Sequence, residues 1–402
     1  MKLSLYLALR HLNSIDKSNF SSFAGKLSII GLAFGIASLI LTLSVYQGFE
    51  NTISNKIASF DGHYRFQDIL GRPIDENSDL NSLLYNIIDK KNDSIIRSFV
   101  QGPALIRKGI NAEGVIIEGV SGNSLVEPLD NLLIYGTGTF SDNSIIIGKS
   151  LSDKYGLGIG DPLVIFDLKS ISGISGIYRL KQFIVSGIFH SGLSEYDNNI
   201  VYTSIQNAQY LLGVEEKITG KIMYFTQNNF PPIAEILNEK LSYPYYATSW
   251  KEKHQTLFKW LEVQKLPIII IFGMISLVAI VNIVSALTMI ALDKTKTIGA
   301  LQAIGFPKKQ INLIFLSKGA IIGVIGSLIG VFIALVLGFI QMKYHILSIS
   351  EDIYFMDHLP ISFNINNILM ILLMGIISSL MASYWPAKIA ANIEPADAMR
   401  YE

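Results

Sequence analysis

Apolar residues gather in four stretches of this chain, at residues 27–47, 266–292, 313–340 and 368–387, and about 220 mostly polar residues separate the first two. A helix needs about 20 apolar residues to cross a hydrocarbon core, and each stretch reaches that length with no more than one charged residue in its body. The pattern predicts four transmembrane helices, with a large domain inserted between spans one and two. A secretory leader is a poor reading of the first stretch. Its apolar run is too long and starts too far from the N-terminus, and Tyr46-Gln-Gly-Phe49 is an unsuitable cleavage site.

Within the inserted domain the period changes. Residues 114–120, 144–147, 163–166, 182–187 and 199–203 are short, rich in β-branched side chains and bounded by Gly, Asn, Asp or Pro, which predicts strands. Helical spacing is found at residues 49–59, 80–89, 149–155, 205–212 and 233–241, and an amphipathic stretch at 250–264 leads into span two. The domain therefore reads as α+β, with a mixed sheet and a second, smaller lobe.

Charge sets the expected orientation. Lys2, Arg10, Lys17 and Lys26 precede span one, and Lys294, Lys296, Lys308 and Lys309 lie between spans two and three. The connector before span four instead sets Lys343 against Glu351, Asp352 and Asp357. By the positive-inside rule, the N-terminal segment 1–26, the connector 293–312 and the tail 388–402 are cytoplasmic, and residues 48–265 and 341–367 lie outside. The balance of 32 basic and 32 acidic residues, with no basic tract interleaved with aromatics, argues against a nucleic-acid partner. The absence of cysteine leaves no disulfide and no thiol chemistry.

Catalytic patterns are not found. His190, Glu195 and Asp197 flank a turn that specifies no ligand geometry, and neither a Ser/His/Asp set nor a carboxylate pair stands out. Gly148-Lys-Ser150 imitates the end of a phosphate loop, but Asn143 stands where the first glycine must be. The expectation is a chain with no catalytic, cofactor or metal residues. In the spans, Asn282 and Ser285 suit interhelical hydrogen bonds, Lys318 is placed to snorkel, and Gly319, Gly323, Gly326 and Gly330 allow close helix packing.

Several motifs occur in one order along the chain. The first span ends in Leu43-Ser-Val-Tyr-Gln-Gly-Phe-Glu50. Ser144-Ile-Ile-Ile-Gly-Lys-Ser-Leu151 and Gly156-Leu-Gly-Ile-Gly-Asp161 precede Phe183-Ile-Val-Ser-Gly-Ile-Phe-His-Ser-Gly-Leu-Ser-Glu-Tyr-Asp197. Asp352-Ile-Tyr-Phe-Met-Asp-His-Leu-Pro360 and Trp385-Pro-Ala-Lys-Ile-Ala-Ala391 follow. Together they resemble the LolC/LolE lipoprotein-releasing ABC transporter permeases of the FtsX/MacB superfamily, over nearly the whole chain.

The resemblance implies a non-enzymatic permease subunit in the bacterial inner membrane, with its large domain periplasmic. It implies a LolD-like ATPase dimer that binds ATP and Mg, and a second permease subunit in a homodimer or a LolC/LolE-type heterodimer. A lipoprotein substrate, a LolA-like periplasmic carrier and membrane lipids are the other partners. Residues 293–307 resemble the family's coupling helix, where Ile298, Leu301, Gln302, Ile304, Gly305, Phe306 and Pro307 would dock on the ATPase. Ile298, Leu301 and Ile304 are spaced for one helix face. Leu39, Leu43, Tyr46, Phe49, Phe258, Leu261, Leu266, Ile269 and Ile270 would wall the lipoprotein cavity. Residues 167–180 match the carrier-binding hook, with Ile171, Ile174, Ile177, Tyr178 and Arg179 at its tip. The alternatives within the superfamily are a MacB-type exporter of peptides or lipopeptides and an FtsX-like signalling scaffold for a cell-wall hydrolase.

Overall fold

Backbone polar groups in hydrocarbon have no water to bond, so each apolar stretch satisfies its own by coiling. The computed structural model describes residues 19–76, 78, 80, 84, 94–109, 111–172, 179–225, 234–241, 243–350 and 356–394. Helix α1 (Asn19–Asp61) is followed by β1 (Tyr64–Asp68), β2 (Ile74–Asp75), β3 (Ser94–Lys108), β4 (Asn111–Val120), α2 (Glu127–Asp130) and β5 (Leu133–Gly136). Then come β6 (Ser144–Gly148), α3 (Lys149–Tyr155), β7 (Pro162–Asp167), α4 (Leu168–Ser172), β8 (Leu180–Phe189), α5 (Ser194–Asn199) and β9 (Ile200–Ser204). Helix α6 (Ile205–Leu212), β10 (Lys217–Ile218), β11 (Gly220–Phe225), α7 (Ala234–Lys240) and β12 (Tyr245–Ser249) complete the mixed region. The rest is helical: α8 (Trp250–Lys253), α9 (Gln255–Val263), α10 (Lys265–Asp293), α11 (Thr295–Ala303), α12 (Lys308–Tyr344) and α13 (Ile365–Ala391).

The chain forms two compact units. One holds the residues up to Asn51, Trp260–Ser348 and those from Leu359 onward; the other holds Thr52–Lys259 and Ile349–His358. Among the described residues four helices are long and apolar enough to cross a membrane, Phe23–Asp61, Gln255–Asp293, Lys308–Tyr344 and Ile365–Ala391. The first outruns its predicted span at both ends. The predicted helix at 250–264 is two helices, because His254 leaves helical geometry at φ −105° and ψ 32°.

In the membrane unit α12 is the central helix, and its glycines explain why. A side chain on Gly319 or Gly323 would meet Ser383 or Ser379 of α13, and one on Gly326 or Gly330 would meet Leu32, Ala33 or Ile36 of α1. Small residues let backbones approach, and Ser379 Oγ donates to the Gly319 carbonyl at 2.7 Å across the contact. At the other end of α1, the loop before α13 is seated on the helix. Ser362 N donates to the Ser44 carbonyl at 3.0 Å, and Gly48 leaves room for the Pro360 carbonyl. Ser28 Oγ reaches the Asn282 backbone carbonyl at 3.4 Å, so the interhelical bond expected of the Asn282 side chain is made by its main chain. Lys318 departs from expectation. It is 5% exposed, in a buried stripe with Ile311, Phe315 and Ile322.

In the other unit β3, β4, β9, β6, β8 and β7 pair in a closed ring. Two of its pairings, β4 with β9 and β6 with β8, are parallel, which makes it mixed. Ala104, Ile106, Val115, Ile117, Ile145, Ile147, Phe183 and Val201 fill it. The 15-residue β3 also leaves the ring, pairing β11 through residues 94–99 and β7 through residues 104–107. Gly102 and Pro103 fall where that edge changes partner, so a residue without an N–H is tolerated there. The order β12-β1-β11-β3 extends the sheet into the second lobe, whose own core includes Tyr64, Phe66, Val100, Met223 and Leu237. The lobe thus shares a strand with the ring. Gly148, the mimic of a phosphate-loop glycine, lies against the Asp197 backbone, where no side chain fits.

Replacing Gly319 with Leu should destabilise the purified protein by about 1–3 kcal/mol through overpacking against Ser383. Gly273→Leu, on an open face of α10, should not, because nothing lies within 4 Å of its Cβ position. Thermal unfolding in detergent compares the two, and equal melting temperatures would remove the packing explanation.

Candidate functional site

An apolar cleft of about 420 Å³ opens in the membrane unit between α1, α10 and α13. Leu32, Ile36, Leu39 and Leu43 of α1 form one wall and Ile268, Ile269, Phe272 and Ile275 of α10 another, with Met370, Ile371 and Met374 of α13 at the back. Gly35 and Gly273 widen it, and among the described residues Ser276 and Ser378 are its only hydroxyl-bearing lining residues. Such a surface suits an alkyl chain and offers almost nothing to a polar ligand.

Of the nine residues expected to wall a cavity, Leu39, Leu43 and Ile269 line this cleft. Tyr46 and Leu261 are instead buried against one another, with the tyrosine hydroxyl donating to the Leu261 carbonyl at 3.0 Å. Lys265 adds to that tie, its ammonium over the Tyr46 ring at 5.2 Å and 3.8 Å from Glu50. Leu266 and Ile270 are exposed outside the cleft, and Phe49 is half-buried. Phe258 belongs to the other unit, edge-on to Trp250 at 4.9 Å. The contribution of α13 was not readable from sequence, since its methionines look like any lipid-facing residues.

Helix α11 departs from the expected single apolar face. Ile298 is buried in the membrane unit's core, Leu301 is half-buried, and Gln302 Nε2 donates to the Ala391 carbonyl at 3.2 Å. Ile304 lies past the end of the helix and is 86% exposed, beside exposed Gly305 and Pro307. Phe306 turns back to pack on the core. The physical reason is that α11 ends at Ala303, before the sixth step of the spacing is reached. Its inner residues anchor it, and Ile304 is left exposed.

The other unit contains a buried network of charge around Arg65 on β1. Its guanidinium grips the Glu118 carboxylate with both terminal nitrogens, at 3.1 and 3.2 Å, and also bonds the carbonyls of Phe60 and Asp61 at the end of α1. Asp61 accepts from Tyr196 at 2.8 Å, from His254 at 2.5 Å and from Lys253. Burial raises the Asp61 carboxyl, but the His254 hydrogen bond and the charges of Arg65 and Lys253 outweigh it and hold the group well below the usual carboxylate range. His63, one turn of chain away, is pushed down to about 4 by burial, and its Nδ1 accepts the Phe225 amide at 3.1 Å. Only the charges themselves hint at this network in the sequence, because its members are scattered from residue 61 to 254.

On the hairpin that follows, His190 Nδ1 sits 2.8 Å from Asp197, whose other oxygen accepts from Ser191 at 2.6 Å. Those bonds fix the turn. In the expected hook, Ile174, Ile177 and Tyr178 lie outside the described residues, as does the side chain of Ile171. Arg179 is described; it covers Gly213, and its amide bonds Ser170 Oγ at 3.2 Å.

Residues 27–227 match the MacB-like periplasmic core domain, and residues 269–395 match the FtsX-like permease C-terminal family. The lipoprotein-releasing system transmembrane protein LolC of Neisseria meningitidis serogroup B is 27% identical over 420 residues, covering 100% of this chain and 99% of that protein. LolC of Xylella fastidiosa (strain Temecula1) is 25% identical over 418 residues, with 100% and 99% covered. LolE of Haemophilus influenzae is 26% identical over 427 residues, with 99% of each covered.

The effects of His63 and Asp61 separate in pH. His63 is neutral in the fold and protonates at 6.5 when unfolded, so the unfolded chain binds the extra proton and stability falls from pH 6.5 down to about 4. The stabilisation by Asp61, with its depressed folded value, is present above about pH 4 and is lost only at lower pH. His63→Gln should flatten the unfolding profile between 6.5 and 4, and Asp61→Asn should cost about 3–5 kcal/mol at pH 7. Denaturant unfolding against pH checks both; an unchanged slope in His63→Gln would remove His63 as its source.

Proposed function

The chain belongs to the LolC/LolE permease family of the FtsX/MacB superfamily, and from that premise we propose that it is the permease subunit of an ABC-type complex releasing lipoproteins from the inner membrane. The observation that carries the reading is coverage. The likeness to LolC extends over both units and all four spans, so no part of the transporter plan is left over.

On this reading the acyl anchors of a lipoprotein leave the outer leaflet sideways and lodge in the cleft of α1, α10 and α13. Each methylene buried there contributes about 0.8 kcal/mol, so a chain binds firmly and release needs work. That work comes from ATP hydrolysis in a separate LolD-like subunit docked on α11, with both termini and α11 cytoplasmic and the mixed unit periplasmic. A second permease subunit completes the cavity, and a LolA-like carrier receives the released lipoprotein at the periplasmic unit.

A photoreactive residue at Leu43, followed by mass spectrometry of the adducts in native membranes, tests the cleft. Acylated lipoproteins that disappear from the adducts on ATP turnover are the expected result. Adducts with phospholipid alone at Leu39, Leu43 and Ile269 would move the assignment to an exporter or a signalling scaffold.

The docking element has its own test. Ile304→Asp places a charge on an exposed side chain, so it should leave folding unchanged while reducing ATPase co-purification about tenfold or more, in the range of an interface hot spot. Undiminished co-purification would place the docking contact elsewhere.

A further inference from the structure

Asn282 lies three residues past the middle of the apolar stretch 266–292, about 4.5 Å along the axis of α10, so it stands near the centre of the hydrocarbon core. Its side chain is exposed there. The backbone carbonyl accepts from Ser28 Oγ, but among the described residues the carboxamide makes no hydrogen bond. On its α1 side the amide nitrogen lies against Gly31, which has no side chain to bond it. A polar group left in hydrocarbon without a partner is costly, and water does not reach this depth to supply one. Asn282 also belongs to a pattern. Ile271, Met274, Val278, Asn282, Ser285 and Met289 follow one another in steps of three and four and are all exposed, which makes a single stripe along α10. The residues that pack α10 into its own unit, Ile283, Leu287 and Ile290, lie on another side of the helix.

Depth, chemistry and spacing together identify what covers the stripe. At the bilayer centre neither a lipid headgroup nor a soluble protein can reach Asn282, and an acyl chain has nothing to bond it with, so the partner is a membrane-spanning segment with a polar group at the same level. A carboxamide both donates and accepts, so two of them facing one another satisfy each other. Steps of three and four are the spacing by which parallel helices interdigitate, and a single Asn in such a seam fixes their register. A second copy of this chain, inserted with the same topology, brings the same stripe alongside in parallel and the same carboxamide at the same depth. We propose that α10 packs along α10 of a second copy of this chain through this stripe, the two Asn282 carboxamides exchanging hydrogen bonds inside the bilayer. The inference rests on the proposed function only in that a second permease subunit stands beside this one, and it adds that this subunit is an identical chain.

The chain has no cysteine, so a single introduced thiol reports alone. Val278→Cys, on the stripe, and Leu277→Cys, equally open but on another side of α10, are oxidised in native membranes holding the full chain and its ATPase partner, with two tags on co-expressed copies to identify the dimer. The expected result is a disulfide dimer of this chain from Val278→Cys and about fivefold less from Leu277→Cys. Adding Asn282→Leu should lower the Val278→Cys dimer about fivefold, whereas Asn282→Gln, which keeps the carboxamide, should retain most of it. Because Asn282 is exposed in the single chain, Asn282→Leu should leave thermal unfolding in detergent unchanged, which separates lost pairing from lost folding. Equal dimer from the two cysteine positions overturns the proposal, as does a Val278→Cys dimer that Asn282→Leu leaves undiminished. So does a photoreactive residue at Val278 whose adducts are only phospholipid or a different permease. Pairing is read without lipoprotein release. A Val278→Cys dimer in a complex that releases nothing counts against the transport reading alone, and release by a complex without that dimer counts against this pairing alone.

Discussion

Arg65 is the residue on which the outer unit depends. Its guanidinium lies inside the sheet with Glu118 on one side and the last carbonyls of α1 on the other, and it rests on the Phe99 ring at 4.7 Å. A helix C-terminus carries partial negative charge, so a cation there is favourable, and the same cation neutralises a glutamate that could not otherwise be buried. Asp61 extends the arrangement. Through Lys253 and His254 it binds α8, so one carboxylate joins the helix that enters the unit to the helix that leaves it. A well-packed apolar set of the same shape can match such a network in net stability, yet it would not fix the angles of two chain segments so narrowly. The pairing of first and last strands, β1 with β12, closes the same junction from the sheet side.

The membrane unit solves the opposite problem. Lipid gives little reward for burying apolar surface, so close contact has to come from shape and from hydrogen bonds that hydrocarbon cannot supply. Glycines at 319, 323, 326 and 330 and serines at 379 and 383 provide both, setting α12 between α1 and α13. The tight seam has a consequence for the cleft. With α12 drawn against α13 and α1, the bulky side chains of α1, α10 and α13 face one another without filling the space, and a cavity remains where a seam of leucines would have closed it.

The four spans and the α+β class were legible because hydrophobic period and length report burial directly. Helices at 149–155 and 205–212 were equally plain, since Gly156 and Gly213 take left-handed geometry at their ends and Ser204 caps the second. Strand β3 was not. Its Gly102-Pro103 reads as a break, and only the change of partner at that point makes it compatible with one continuous strand. Strands β1, β11 and β12 were missed for another reason: they carry Arg65, Lys221 and polar residues whose burial depends on partners far away in sequence. The site was legible in the same uneven way. The resemblance assigned Leu39 and Leu43 to the cavity, but no local pattern could reveal that Tyr46 would be tied to Leu261, or that Ile298 and Ile304 would part company where α11 ends.

The exposure of α10 bears on how many subunits the proposed cavity needs. Ile269 lines the cleft yet is 62% exposed, and Leu266 and Ile270 beside it are open to the same degree. A helix that served only as one wall of a closed pocket would bury that face. Here the cleft of about 420 Å³ lies at the lower end of the range for small-ligand sites, and a lipoprotein anchored by several acyl chains requires more apolar volume than that. The open face of α10 supplies the missing wall only if another surface stands opposite it, and a second permease subunit presents such a surface in the membrane plane. On the proposed function, then, the cleft in one chain is part of a larger cavity. The exposed isoleucines of α10 are where the partner completes it, and closing the two subunits together would expel acyl chains from both parts at once.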